Sequence, residues 1–350
     1  MRQTRGSKTK GLARRAVFAV LVLAAGVIFV GSAWVAYTQL ALALRETQSV
    51  EQLAAGRGRW VQVDDAKLYI QEWGDPAGPV MLLVHGTAAW SGTWFSLPDS
   101  LVAAGWRVVA VDLPPFGLSQ TSGRRASVDY SRVAQAKRIL SLIDSLGGPV
   151  TLVGHSFGAG PALEAAVRSG SKLRQLVLVD PALGLEPNGE PPRCDAGAES
   201  GGLLAVRPLR TVLIGATATW PGLTGTFLRR FVHRKEVVTE QLVPAYQIPF
   251  ARKSFTASLG DWAASFVQAS CESAESLDPA KLRKWSAGGP PVALIWGEED
   301  TITPIAQGKA LQRWMPGTRM TVLPGVGHIP HIEMPDAFAA ALLETVRAPR

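Results

Sequence analysis

The pentapeptide Gly154-His155-Ser156-Phe157-Gly158 constrains the fold more than any other part of this 350-residue chain. It stands directly after the apolar run Val150–Val153 and directly before a helical pattern spanning 157–169. Glycines on both sides of the serine permit a sharp strand-to-helix turn, which lifts the hydroxyl above the end of the strand and beside a helix N-terminus. A bare Gly-x-Ser-x-Gly carries little information. Set between a buried strand and a helix, it predicts an exposed, reactive serine on a sheet.

The surrounding pattern predicts that sheet. Val80–Val84, Val108–Val111, Val150–Val153, Leu176–Val179, Val292–Trp296 and Met320–Leu323 are short runs rich in Val, Leu and Ile. They lack polar alternation, which suits strands buried on both faces, and helical stretches such as 131–146 lie between several of them. Strand–helix alternation of this kind implies an α/β fold with a mainly parallel sheet. Ahead of it, Trp60–Val63 and Leu68–Trp73 flank Asp64-Asp65 like the arms of a hairpin. The alternation stops at 181–286, a stretch too long for an ordinary loop. It opens with Pro187, Gly189, Pro191 and Pro192 and continues with helical segments at 203–217 and 255–268. The expected organisation is therefore a core of 60–180 and 287–350, with a helical cap of 181–286 inserted over one end.

The N-terminus carries a different signal. No charged residue occurs from Ala16 to Leu44, and the first 22 residues of that run are almost wholly apolar. A helix of roughly 20 residues crosses a hydrocarbon core of about 30 Å. Apolar regions of cleaved signal peptides are about 7–15 residues long. The run therefore reads as an uncleaved anchor over 16–38, although Ala41-Leu42-Ala43 would suit a cleavage site. Residues 1–15 form a basic cytoplasmic tail, and 39–59 form a stem with a helix continuing to about Leu53. Of the net charge of +8, six come from Arg2, Arg5, Lys8, Lys10, Arg14 and Arg15, which leaves +2 on residues 16–350. That removes the case for nucleic-acid binding and places the catalytic domain outside the cytoplasm, in the periplasm of a bacterium.

A serine needs a base and a place for the developing oxyanion. Gly297-Glu298-Glu299-Asp300 follows the run at 292–296, and Gly325-Val326-Gly327-His328 follows the run at 320–323. The order Ser156, Asp300, His328 matches serine, acid and histidine in folds of this type. Both loops follow strands, so the three side chains can converge at one end of the sheet, with His328 as base and Asp300 as its orienting acid. Asp180, ending the run at 176–179, is the rival acid. Glu298 and Glu299 read as solvated, His331 as a packing or surface residue, and His155 as turned away from substrate. His85-Gly86-Thr87 follows Val80–Val84, and Gly86 permits close backbone approach, so the N–H groups of Thr87 and Phe157 are the candidate oxyanion donors. His85 itself reads as structural. The five histidines form no metal motif, and no metal or cofactor is expected.

Taken together, residues 80–346 resemble the α/β-hydrolase superfamily, in its capped esterase- and lipase-like branch. His85-Gly86-Thr87, the loop 112–119 (DLPPFGLS), the Ser156 turn, Gly297…Asp300…Pro304 and Gly327-His328…Glu333…Pro335 carry the resemblance. Pro115 stands where relatives often have glycine. The resemblance implies Ser156, Asp300 and His328 as the catalytic set, Thr87 and Phe157 as oxyanion donors, and acyl transfer from a small-molecule or lipid-like ester. Carbon–carbon bond hydrolysis, perhydrolysis and acyl transfer to another alcohol use the same residues, and a non-catalytic binding protein on this scaffold is the remaining alternative. Relatives with haloalkane or epoxide substrates hold Asp at the position of Ser156.

The cap sequence bears on substrate and setting. Trp220, Phe227, Phe231, Phe250, Phe255, Trp262 and Phe266 supply aromatic surface, most of it for packing and some for a passage above Ser156. Arg229, Arg230, Arg234 and Lys235 lie among them and suit an anionic bilayer surface. Cys194 and Cys271, both in the cap, are available for one disulfide in an exported domain.

Overall fold

The computed structural model describes residues 5–122, 128–186, 188–190, 205–268 and 274–347, with the side chains of 5–15, 266–268 and 347 left aside. Cys194 and Cys271 lie outside the described residues, as does the Phe266 side chain. The chain divides into residues 1–45 and 46–350. The first unit is a single helix, Arg5–Arg45. Its stretch Ala16–Arg45 is long and apolar enough, by length and composition, to cross a membrane.

The helix expected to run on to about Leu53 ends at Arg45, and a separate short helix occupies Val50–Ala54. The cause is local. Ser49 Oγ accepts the Gln52 N–H at 3.3 Å, and Gln52 Oε1 accepts the Ser49 N–H at 2.8 Å. This reciprocal capping box starts a new helix instead of continuing an old one. Ala55, at φ +45°, ends it.

Nine strands form one sheet: β1 (Arg59–Gln62), β2 (Ala66–Trp73), β3 (Val80–Val84), β4 (Arg107–Val111), β5 (Gln120–Thr121), β6 (Val150–His155), β7 (Leu173–Val179), β8 (Val292–Gly297) and β9 (Arg319–Leu323). Their order is β1-β2-β4-β3-β6-β7-β8-β9, with β5 paired to β2. β1 and β2 form the antiparallel hairpin, β2 meets β4 antiparallel, and every pair from β4 to β9 along that order is parallel. The expected strands are all present, most of them a residue or so longer than their apolar runs.

Alternation along each strand sends side chains to two cores. From β3, Leu82 and Val84 join Ile139, Leu142, Ala162 and Leu311 on one face. Met81 and Leu83 join Trp94, Leu97, Leu101, Phe338 and Leu342 on the other. Each such fully buried aliphatic side chain contributes about 1.5–3 kcal/mol relative to exposure. Helices therefore cover both faces, and a sheet buried on both faces needs the continuous apolar runs of this sequence.

Because β3, β6, β7, β8 and β9 run in parallel, their C-terminal ends lie along one edge. The residues that follow them are His85–Thr87, Ser156, Asp180, Asp300 and His328. Among the described residues, five α-helices occupy the segment between β7 and β8: Arg207–Ala216, Pro221–Phe231, Val243–Gln247, Phe255–Gln268 and Pro279–Ser286. Leu228, Val232, Val238 and Tyr246 from this segment pack on Ala89, Ile329 and Ile332, which flank the site loops. Phe250, Phe255 and Trp262 pack on Phe116, Tyr130 and Phe157.

Candidate active site

Ser156 sits between β6 and the helix Ala159–Arg168 at φ +50°, a strained backbone position for a residue with a Cβ. The neighbouring glycines make the turn sterically possible. A Cβ on Gly154 would come within 2.8 Å of Ala159 Cα, and one on Gly158 within 2.4 Å of the His85 carbonyl oxygen. On the far side, a Cβ on Gly86 would lie 3.0 Å from Ser156 Cβ. The backbone after β3 thus presses directly against the serine. The Thr87 N–H, next in that loop, donates to no group among the described residues.

The serine, histidine and aspartate form a hydrogen-bonded line. His328 Nε2 is 2.8 Å from Ser156 Oγ, and His328 Nδ1 is 2.8 Å from Asp300 Oδ2. All three side chains are buried. Asp300 is fixed by its own loop: Oδ1 accepts the N–H groups of Ile302 at 2.7 Å and Thr303 at 3.0 Å, and Oδ2 accepts the Thr303 hydroxyl at 2.5 Å. Burial acts to raise the Asp300 carboxyl, but the bonds from His328 and Thr303 outweigh it and hold it below its ordinary value. The loops carrying Asp300 and His328 touch so closely that a Cβ on Gly297 would meet the Gly327 carbonyl oxygen at 2.0 Å.

Asp180 lies beside this line without joining it. Its Oδ1 accepts the Gly297 N–H at 2.8 Å, its side chain neighbours that of Asp300, and among the described residues no bond links it to His328. Burial first, then the neighbouring Asp300 charge, pushes its carboxyl well above the usual range, so the charged form is disfavoured there. Glu298 and Glu299 are exposed.

Of the other histidines, His85, His155 and His331 are packed, and His233 is exposed. His85 Nε2 accepts the Leu113 N–H at 3.1 Å, and burial lowers its pKa to about 4. His155 Nε2 lies 2.8 Å from the His328 carbonyl oxygen, and burial together with His328 lowers it to about 3. His331 stacks on Trp94 at 4.6 Å and meets His155 edge-on at 5.0 Å. The loop 112–119 is a frame for His85 and β2. Asp112 Oδ1 and Oδ2 accept the N–H groups of Ser91 and Leu118, both at 2.6 Å. A Cβ on Gly117 would fall 2.0 Å from Asp112 Oδ2.

Two partners of the site have no role assigned to them in the sequence reading. Thr303 is one; Asp300-x-x-Thr303 is the spacing of an aspartate that caps its own loop. Glu333 is the other. Its carboxylate accepts the N–H groups of Gly327 at 3.0 Å and Ile329 at 3.2 Å, on either side of His328.

Above Ser156 lies a cavity of about 210 Å³. Its wall is mainly apolar, formed by Trp94, Phe227, Leu228, Phe231, Phe250 and Ile329. Three of the cap aromatics named from sequence reach it, while Phe255 and Trp262 pack below. Of the basic cluster, Arg229 caps the Val238 carbonyl at 3.0 Å, and the Lys235 ammonium meets the carbonyls of Arg229 and Val232.

This fold, with a serine at a strand-to-helix turn and an acid and histidine on the next loops, defines an α/β hydrolase. The sequence profile of the alpha/beta hydrolase family matches residues 81–341, and the chain belongs to that family. It is 27% identical to a pimeloyl-[acyl-carrier protein] methyl ester esterase of Nitrosomonas europaea, over 79% of this chain and 98% of that protein. It is also 27% identical to a 2-hydroxymuconate semialdehyde hydrolase of Pseudomonas putida, over 78% of this chain and 87% of that protein. Among solved structures, a membrane phospholipase A matches at TM-score 0.58 and 22% identity, covering 97% of this chain and 100% of its own.

Proposed function

We propose that this hydrolase is a membrane-anchored serine esterase, with Ser156 as nucleophile, acting on esters with an apolar acyl or alcohol part. The observation that carries the reading is the Ser156–His328–Asp300 line at the floor of an apolar cavity. His328 takes the Ser156 proton as Oγ attacks the ester carbonyl, and Asp300 holds the tautomer and balances the imidazolium. The Thr87 and Phe157 N–H groups receive the oxyanion. His328 then protonates the leaving alcohol and activates the water that releases the acid. The segment 181–286 acts as a cap over the site, and the helix Arg5–Arg45 acts as a tether to the bilayer.

The test is fluorophosphonate labelling, followed by turnover of p-nitrophenyl esters from acetyl to octanoyl. Wild type should label at Ser156, and kcat/KM should climb with chain length, by up to about 0.8 kcal/mol for each buried methylene. Ser156→Ala should lose both labelling and turnover while keeping its melting temperature. Labelling with no hydrolysis of any ester would point to carbon–carbon cleavage; no labelling would sink the serine mechanism.

A further inference from the structure

Two residues in the wall of the cavity carry a buried hydroxyl with no hydrogen-bond partner among the described residues. Thr224, on the helix Pro221–Phe231, and Tyr246, on the helix Val243–Gln247, both line the space above Ser156. Thr224 is 7% exposed and Tyr246 4%, and neither Thr224 Oγ1 nor Tyr246 OH makes a hydrogen bond. The two helices pack on each other where Gly225 faces Val243, so both residues belong to one patch of the cap.

The pair is unusual within its own segment. Among the described threonines there, Thr211 and Thr217 donate to the carbonyls of Arg207 and Leu213, Thr219 bonds Thr256, and Thr239 accepts the Leu242 N–H. Thr226 is exposed, and among the buried threonines described there Thr224 is the one with no such bond. It is the fourth residue of its helix, where a threonine can turn back to the carbonyl four residues earlier, that of Trp220. Nor can the phenol of Tyr246 relieve its position by ionising: burial raises its pKa, so it keeps a proton to donate. Buried hydroxyls are nearly always satisfied, and an unsatisfied one inside a binding cavity is matched by what the cavity binds.

We infer that Thr224 and Tyr246 are specificity residues that hydrogen-bond an uncharged oxygen carried within the apolar part of the substrate. The preferred ester is then not a plain hydrocarbon ester but one with an ether, keto or hydroxyl oxygen along its chain. This inference rests on the reading of Ser156 as an esterase nucleophile. An apolar wall with a few placed polar groups selects strongly, because the matching substrate satisfies a hydroxyl that a hydrocarbon leaves bare.

The experiment uses the full chain in detergent and two matched series of p-nitrophenyl esters. One series is plain acyl. In the other, a single ether oxygen replaces a methylene, moved one position at a time, and rates are normalised to hydroxide cleavage. At one position the ether ester should exceed its methylene counterpart about tenfold in kcat/KM, which corresponds to about 1.4 kcal/mol. Tyr246→Phe should bring that ratio to about one and raise kcat/KM for the plain ester two- to threefold, with a higher melting temperature, since a bare buried hydroxyl has been removed. Thr224→Val should lower the same ratio, and it carries the test if Tyr246→Phe does not fold. Plain esters turned over, with no ether ester preferred beyond twofold at any position, would overturn the inference and leave the esterase reading standing. A preference that survives both substitutions would overturn it too. If no ester of either series is cleaved and Ser156 does not label, the esterase reading falls and takes this inference with it.

Discussion

Glu333 ties the His328 loop to the segment between β7 and β8: its Oε2 accepts the His233 N–H at 2.8 Å, and also those of Arg234 and Gly327, each at 3.0 Å. With Ile329 donating to Oε1, four backbone N–H groups converge on one buried carboxylate. The His328 N–H itself donates to the Phe231 carbonyl at 3.0 Å. The end of the helix Pro221–Phe231 and the loop bearing His328 are thus one hydrogen-bonded body.

Glu333→Ala should therefore damage both stability and activity. Each stranded buried N–H costs about 1–3 kcal/mol, so a loss of about 3–5 kcal/mol is expected after relaxation. A shift of about 1 Å in a reacting group costs about 100-fold, so kcat should fall by that order in protein that remains folded. Denaturant unfolding and steady-state kinetics check the two halves separately. Glu333→Gln keeps one acceptor oxygen for the Oε2 cluster and should recover part of both losses.

The two aspartates give a cleaner contrast. Asp300→Asn should reduce kcat by about three to four orders of magnitude, as expected when the histidine loses its tautomer and its counter-charge. Asp180→Asn should stay within about tenfold of wild type, because an amide keeps the oxygen that accepts the Gly297 N–H and the side chain makes no bond to His328. The readout is kcat on one ester for both variants at neutral pH. A larger loss at Asp180 would move the acid to that residue.

How much of this was legible beforehand depends on whether the interaction is local. The strands could be read because a sheet covered on both faces needs unbroken apolar runs, and Val80–Val84 gives its bounds directly. Ser156, Asp300 and His328 could be named because each directly follows or closely trails such a run. The break after Arg45 was missed although Ser49-x-x-Gln52 is visible in the sequence; the apolar pattern on both sides masked it. Glu333 was seen only as part of a motif. Its partners His233 and Arg234 lie about 100 residues away, and no periodicity predicts a carboxylate meeting backbone N–H groups across that distance. The unpartnered Thr224 and Tyr246 hydroxyls were invisible for the same reason.

Acid should destabilise the protein through His331. Burial, reinforced by His155 and His328, holds its pKa well below the ordinary histidine value of 6.5, so folding favours the neutral ring. The unfolded chain binds the proton first as pH falls. Stability is therefore complete above pH 6.5 and declines below it, by about 1.4 kcal/mol per pH unit from this group. His331→Phe keeps an aromatic ring against Trp94 and Phe338 but cannot titrate. Its unfolding free energy between pH 6.5 and 4.5 should fall less steeply than that of wild type. Parallel curves would show that His331 is not a source of the acid sensitivity.

The helix Arg5–Arg45 leads to the last expectation, a bilayer tether with residues 46–350 outside the cytoplasm. The charge-free stretch is longer than a signal-peptide core, and six basic residues precede it with no acid among residues 1–15. The second unit is held from its first residues: Glu46 Oε1 accepts the Thr256 N–H at 3.0 Å, and the Gln48 N–H donates to the Ala251 carbonyl at 3.0 Å. Expressed in a bacterium, the full chain should sediment with membranes, resist extraction by salt and yield to detergent. A reporter that works only after export, fused behind Arg350, should be active. Replacing the six basic residues before Ala16 with glutamine should reduce that activity, because it removes the charge bias that retains the N-terminus inside. Mature protein beginning near Leu44, found in the soluble periplasmic fraction by N-terminal sequencing, would replace the tether with a cleaved signal and a released enzyme.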